Sequence, residues 1–210
     1  KGDLKMTTEG AKALQVFEDA VRQQVEYTLH AADKDAIGKA AEIIQASIRQ
    51  GGRLHVTGIG KPGHIAGYIA SLITSTGTPA YFLHGTEAVH GSSGQLVAGD
   101  VVIAISNSGN TDEMMATVFC AQDNGCKIIG VTGNAKSRLA GASDVVLLAD
   151  VVPAGEGGPL NRAPRNSILA ETLVMQMLSV VLQAEAHVTP EEYVKHHPHG
   201  ALGKLREDER

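Results

Sequence analysis

Apolar positions recur at helical spacing through the first fifty residues, then give way to short apolar runs alternating with helical stretches. Ala11, Leu14, Phe17, Ala20, Val21 and Val25 fall near a 3.6-residue period and predict an amphipathic helix over 8–30. A second helix is predicted over 33–50, closed by Gly51-Gly52. Strands are then predicted over 54–56, 80–83, 100–105, 127–131 and 144–148, with helices over 65–74 and 112–124 between them. The helix over 65–74 carries the small residues Ala66, Gly67, Ala70 and Ser71, which allow close packing. Residues 152–166 are rich in Gly and Pro, lack a period and read as a loop before a long helix over 167–186. Thr189 followed by Pro190 has the form of an N-cap with Pro at the first helical position, opening a short helix that ends at His196-His197-Pro198-His199-Gly200. Val/Ile-rich strands separated by helices predict a parallel sheet covered on both faces, with ligands at the carboxyl ends of its strands.

Two turns at that edge carry candidate chemistry. Val101–Ile105 is followed at once by Ser106-Asn107-Ser108-Gly109-Asn110-Thr111 and a helix. Hydroxyls and unpaired N–H groups at a helix start favour an anion. A plain polar cap is the bland alternative, but two serines, an asparagine and a threonine in six residues exceed what a cap needs. The other turn is Gly58-Ile59-Gly60-Lys61-Pro62-Gly63-His64. Its glycines satisfy the bare G-x-G-x-x-G pattern, yet His84 follows the second strand where a ribose-binding acid would stand, so a dinucleotide is disfavoured. Lys61 inside the turn suits a sugar phosphate better. Glu113 lies one turn into the next helix, either as a surface acid complementing the dipole or as a carboxylate base beside a bound sugar.

Composition narrows the partners. The chain of 210 residues is 43% apolar and 20% charged, which suits a globular α/β domain. An aromatic content of 3%, no Trp and a net charge of −5 argue against nucleic acid and anionic membranes. No secretory leader is apparent and no apolar run reaches the roughly 20 residues of a membrane span. Cys120 and Cys126 match neither a zinc motif nor a redox pair and read as free thiols of a cytoplasmic protein. Of nine histidines, His84, His90, His196, His197 and His199 fall in predicted turns. Exposed loop histidines, a metal cluster and acid–base groups are the options. No acid–histidine metal spacing is present, so no metal or cofactor is expected and acid–base work is preferred.

These stretches, with Ser75-Thr76-Gly77-Thr78-Pro79, Glu87-Ala88-Val89-His90-Gly91, 100–109 and His197-Pro198-x-Gly200-Ala201-Leu202-Gly203, resemble the sugar isomerase (SIS) domain, most closely the arabinose 5-phosphate isomerases. The resemblance covers about 11–206 and implies one SIS domain over 1–210, the form without CBS modules: N-terminal helices over 8–50, an α/β core over 53–186 and a C-terminal segment over 189–206. The expected fold is a three-layer α/β sandwich with a five-stranded parallel sheet of flavodoxin-like type. The family's catalytic residues fall on Lys61, His90, Glu113 and His197, and its phosphate loop on Ser106, Asn107, Ser108 and Thr111, beside Gly60. The implied reaction is reversible aldose–ketose isomerisation through a cis-enediol(ate), with D-arabinose 5-phosphate and D-ribulose 5-phosphate as the leading pair.

In that scheme Glu113 moves the carbon-bound proton, its acid raised by burial near an apolar wall. His90 or His197 assists ring opening, and Lys61 stabilises the enediolate oxygen. The chain departs from the family at Ser92 and His199, in Gly109-Asn110-Thr111, and in Arg162-Ala163-Pro164-Arg165-Asn166-Ser167. Arg162 and Arg165 could hold another anion bidentately, which keeps open a hexose phosphate or sulfoquinovose, and because SIS domains also serve as phosphosugar sensors the resemblance leaves a non-catalytic phosphosugar-binding role open. The resemblance also implies a homodimer or homotetramer with sites at subunit contacts.

Overall fold

The structure is a computed structural model that describes residues 6–209. Five parallel strands, β1 (Leu54–Gly58), β2 (Ala80–His84), β3 (Val101–Ile105), β4 (Lys127–Thr132) and β5 (Val145–Leu148), lie in the order β2-β1-β3-β4-β5. The helices are α1 (Thr8–Ala31), α2 (Lys34–Arg49), α3 (Lys61–Ser75), α4 (Gly85–Ala88), α5 (Asp112–Asp123), α6 (Arg138–Gly141), α7 (Asn166–Ala186) and α8 (Pro190–His196). The flavodoxin-like three-layer expectation is met. Every residue of β1 and β3 is buried, as the continuous apolar run of β3 requires for a strand covered on both faces. Val101, Ile103 and Ile105 join Ile44, Ile69, Val174 and Leu178 in one core. Val102 and Ala104 turn the other way and join Leu83, Met114, Val118, Ile128 and Leu139. The alternation along β3 therefore builds two cores, one beneath α2, α3 and α7 and one beneath α4, α5 and α6.

Predicted and observed elements differ in informative places. α3 begins at Lys61 rather than at 65, because Pro62 fits the first turn and Gly60, with φ of 67°, turns the chain into it. The four-residue helices α4 and α6 carry too few positions to show a period. α7 spans 21 residues and is apolar enough to cross a membrane by length and composition, contrary to the expected absence of such a run. Here it is the core helix that packs against α1, α2 and α3.

α1 buries Ala20 of the expected stripe and half-buries Phe17, Val21 and Val25, but its most buried line differs. Leu14 is exposed, and the buried positions are Ala20, Gln24 and Thr28, spaced at i, i+4, i+8. Buried Gln24 is satisfied by hydrogen bonds. Its Nε2 donates to Thr28 Oγ1 at 2.9 Å and to the Asp150 carbonyl at 3.0 Å, and its Oε1 accepts from Val152 N at 3.0 Å. The side chain thus pins α1 to the start of the loop over 149–165. Gln24→Ala orphans the Asp150 carbonyl and the buried Val152 N–H, at a cost of about 2–4 kcal/mol. Thermal unfolding is expected to drop by roughly 5–15 °C; a loss too small to measure would mean that water replaces the amide.

Candidate active site

The sheet order sets where a ligand can enter. The chain leaves β1 toward β2 on one side, and leaves β3 toward β4 on the other. α3 therefore packs on one face and α5 on the other, opening a crevice between the carboxyl ends of β1 and β3. Both Gly-rich turns border it. At the first, a Cβ on Gly58 would lie 2.5 Å from Pro62 C and 2.7 Å from Gly63 N. Gly58 and Gly63 are thus the contact at which strand and helix backbones meet, which keeps Ile59 and Pro62 against the crevice.

The second turn is fixed by its own backbone and by the neighbouring β4 loop. Ser106 N donates to Val131 O at 2.9 Å, and Gly109 N to Ser106 O at 3.0 Å. Asn107 O accepts from Gly133 N at 2.9 Å and from Thr132 Oγ1 at 3.1 Å. Leu139 N donates to Gly109 O at 2.9 Å. Gly109 takes φ of 62°, a left-handed conformation that folds the turn back over the start of α5. Thr111 is the N-cap residue of α5, and its side chain makes no capping bond. Its hydroxyl is therefore free for a ligand, as the anion reading requires.

A cleft of about 320 Å³ lies between the turns. Ile59, Pro62, Ser106, Asn107, Ser108 and Thr111 form one side. The far wall is Glu156, Arg162 and Pro164 from the loop and Ser167, Ile168 and Glu171 from the first turns of α7. Glu156 caps that helix: one carboxylate oxygen accepts from Arg165 N at 2.6 Å and from Ser167 N at 3.2 Å. Glu171 is different. It is 0% exposed, and neither carboxyl oxygen has a hydrogen-bond partner among the described residues. Burial, reinforced by the charge of Glu156, pushes its acid up to about 8. The Ser167 hydroxyl, one turn earlier, is also buried without a partner among the described residues.

The predicted residues divide accordingly. Ser106, Asn107, Ser108 and Thr111 come together in the cleft. Gly60 and Lys61 sit between Ile59 and Pro62 at its rim, both exposed. The Arg165 guanidinium lies over Gly158, and it is Arg162 that lines the cleft. Glu113 follows the cradle by half a turn and is exposed, so its own chain does not supply the apolar wall expected around it. Exposed His90 follows α4 and lies outside the cleft. His197 also lies outside it, stacked on Tyr193 at a ring separation of 4.3 Å, against a second hollow lined by α3 and β2 residues such as Ser71 and Phe82. Among the described residues no group of three His, Cys, Asp or Glu side chains could hold a metal ion. Glu156 and Glu171 were not marked by the sequence patterns above, and Ser167 only as the end of the stretch that departs from the family. The available signal was Glu171 itself, an acid inside the buried stripe Ser167, Glu171, Val174, Leu178.

A hydroxyl-lined turn at the crevice of a parallel sheet is the architecture of α/β proteins that bind small anionic ligands at the strands' carboxyl ends. The SIS domain model matches residues 47–181, and the chain belongs to that family. It is 36% identical over 202 residues to arabinose 5-phosphate isomerase KdsD of Francisella tularensis, across 96% of this chain and 61% of the relative. It is 39% identical over 170 residues to KdsD of Pseudomonas aeruginosa, across 81% of this chain and 51% of the relative. The chain thus spans between half and two thirds of the length of these curated relatives. Among solved structures, an Escherichia coli CFT073 protein in complex with arabinose 5-phosphate matches with a TM-score of 0.80 at 31% identity, over 92% of this chain and 100% of that one.

Proposed function

We propose that the chain catalyses reversible aldose–ketose isomerisation of a sugar phosphate through a cis-enediol(ate), with D-arabinose 5-phosphate and D-ribulose 5-phosphate as the favoured pair. The observation that carries this reading is the cleft in which the Ser106–Thr111 turn faces Arg162 and two carboxyls. Backbone N–H groups, hydroxyls and one guanidinium suit a phosphate. The carboxyls suit the polyol end. Arabinose 5-phosphate isomerases among the relatives support the named pair.

Ser106, Asn107, Ser108 and Thr111 hold the phosphate in this scheme, and of the two arginines expected to bind an anion Arg162 takes that part rather than Arg165. Glu113 is the carbon base, and Lys61 at the rim stabilises the developing oxyanion. His90 and His197 act from a neighbouring copy. Both lie outside their own chain's cleft, so a homodimer or homotetramer with shared sites is part of the proposal, as is one SIS domain working in the cytoplasm.

The test is a panel of anionic sugars, pentose and hexose phosphates together with sulfoquinovose, followed for interconversion by NMR. Turnover of arabinose 5-phosphate to ribulose 5-phosphate is expected, with inorganic phosphate competing. Conversion of a hexose derivative and of no pentose phosphate would discard the named pair while keeping the reaction. Binding without turnover or C2-proton exchange would make the protein a phosphosugar-binding one.

A further inference from the structure

We propose that the Glu171 carboxyl is a catalytic group that moves protons between O1 and O2 of the sugar bound in this cleft; the inference deepens the isomerase reading and rests on it. A buried acid with no partner is destabilising, so its presence calls for a ligand that completes it. Glu171 lines the same cleft as the phosphate cradle, and neither of its oxygens has a partner among the described residues. It is the one charged residue on the buried face of α7, among Ala170, Val174, Met175 and Leu178, where Leu or Met would pack better. The unpartnered Ser167 hydroxyl lies one turn away on the same wall, where it can hold a sugar hydroxyl in register.

Isomerisation needs two proton transfers of different kinds. One moves the carbon-bound proton from C2 to C1, the part given to Glu113. The other moves a proton between the oxygens. A protonated carboxyl suits the second, because its two oxygens are spaced much like the two oxygens of a cis-enediol. As the C2 proton leaves, the C1 carbonyl oxygen takes the proton on one carboxyl oxygen. The other carboxyl oxygen takes the proton of the C2 hydroxyl. C1=O becomes C1–OH and C2–OH becomes C2=O. The carbon proton returns at C1, and the carboxyl ends neutral with its proton on the other oxygen. C1 is reduced and C2 oxidised within one molecule, so no co-reactant is needed. Both carboxyl oxygens must be free for this exchange, as they are in Glu171.

The surroundings keep the acid protonated at neutral pH. Burial first, and the Glu156 carboxylate second, raise it to about 8. Arg162 lines the cleft, exposed Lys61 precedes Pro62 at its rim, and His64, two residues past Pro62, is exposed. On α1, Arg22 is engaged with Glu18 and Asp19, and Tyr27 with Asp150. The required form is the protonated one, so the reaction should slow as pH rises through about 8.

Glu171→Gln keeps the shape but cannot pass a proton. It is expected to lower kcat by about a hundredfold or more with KM within a few-fold, and its residual rate should lose the alkaline decline. Glu171→Asp should restore part of kcat together with that decline. Infrared difference spectra should show a protonated carboxyl at neutral pH in the wild type that is missing in Glu171→Gln. A Glu171→Gln enzyme within a few-fold of wild-type kcat, an alkaline limb that survives the substitution, or a spectrum with only ionised carboxylates would each overturn the assignment. Should Glu171→Gln fail to fold, the Glu171→Asp profile and the wild-type protonation state decide. A wild type that isomerises no anionic sugar would remove the isomerase reading and this inference together; turnover unaffected at Glu171 would remove this inference alone.

Discussion

Glu113→Gln is expected to cut exchange of the C2 proton by about 10²–10⁴-fold while leaving sugar-phosphate affinity within a few-fold. Gln keeps the size and one hydrogen-bonding oxygen but has no basic site, and general-base catalysis has that typical worth. Affinity should survive because the proposed anion site is the turn before Glu113, not the carboxylate. Ser108→Ala and Thr111→Ala provide the contrast. Each removes a hydroxyl from the cleft and should weaken binding by about 1–2 kcal/mol, with smaller loss of turnover under saturation. Isotope exchange by NMR separates the two classes. The exposure of Glu113 in the single chain gives the experiment added weight. If an assembly closes over it, the exchange rate of the wild type should fall with dissociation on dilution. A Glu113→Gln enzyme that exchanges the C2 proton at near the wild-type rate would pass the carbon base to His90 or His197.

Gly109→Ala should collapse the cradle. A Cβ there would sit 2.6 Å from Ser137 Cβ and 2.7 Å from Thr132 Oγ1, with Ser137 Oγ closer still. The backbone would also have to hold a non-glycine residue at φ of 62°. Overpacking and left-handed strain cost about 1–3 kcal/mol each. Either the turn opens, breaking its bonds to Thr132, Gly133 and Leu139, or the β4 loop retreats. Phosphate affinity should fall more than tenfold, and thermal stability by about 5–15 °C. Gly38→Ala is the control. It lies within α2 with nothing inside 4 Å of the added Cβ, and should leave stability unchanged or slightly raised. Retained affinity in Gly109→Ala would mean that the side chains of Ser108 and Thr111 bind the anion without the turn's shape.

The fold was legible where one local rule governed the residues. β3 is five consecutive apolar residues, and a strand buried on both faces needs nothing else. The two Gly-rich turns were legible because their geometry admits few alternatives: Gly58 and Gly63 touch backbone to backbone, and Gly109 is left-handed. The stripe on α1 was misread at Ala11 and Leu14, which are exposed, and missed Gln24, because periodicity counts apolar residues and cannot see that Gln24 is buried by hydrogen bonds to a segment 126 residues away.

The sequence by itself determined the parallel α/β class, the ends of the strands at which a ligand could bind, and the hydroxyl-rich turn proposed to receive the anion. The class follows from the alternation of short apolar runs with helical stretches, and the turn from glycine conformation and helix-start chemistry within a few contiguous residues. Tertiary structure alone decided the far wall of the cleft. It brought Arg162, Ser167 and Glu171, more than fifty residues from the cradle, across the crevice, and put Arg165, His90 and His197 elsewhere. No local rule predicts that placement, because it follows from how α7 docks on α1, α2 and α3. That docking also changed the chemistry of Glu171: the same carboxyl on an exposed helix would be an ordinary acid, and buried beside Glu156 it keeps its proton to about pH 8.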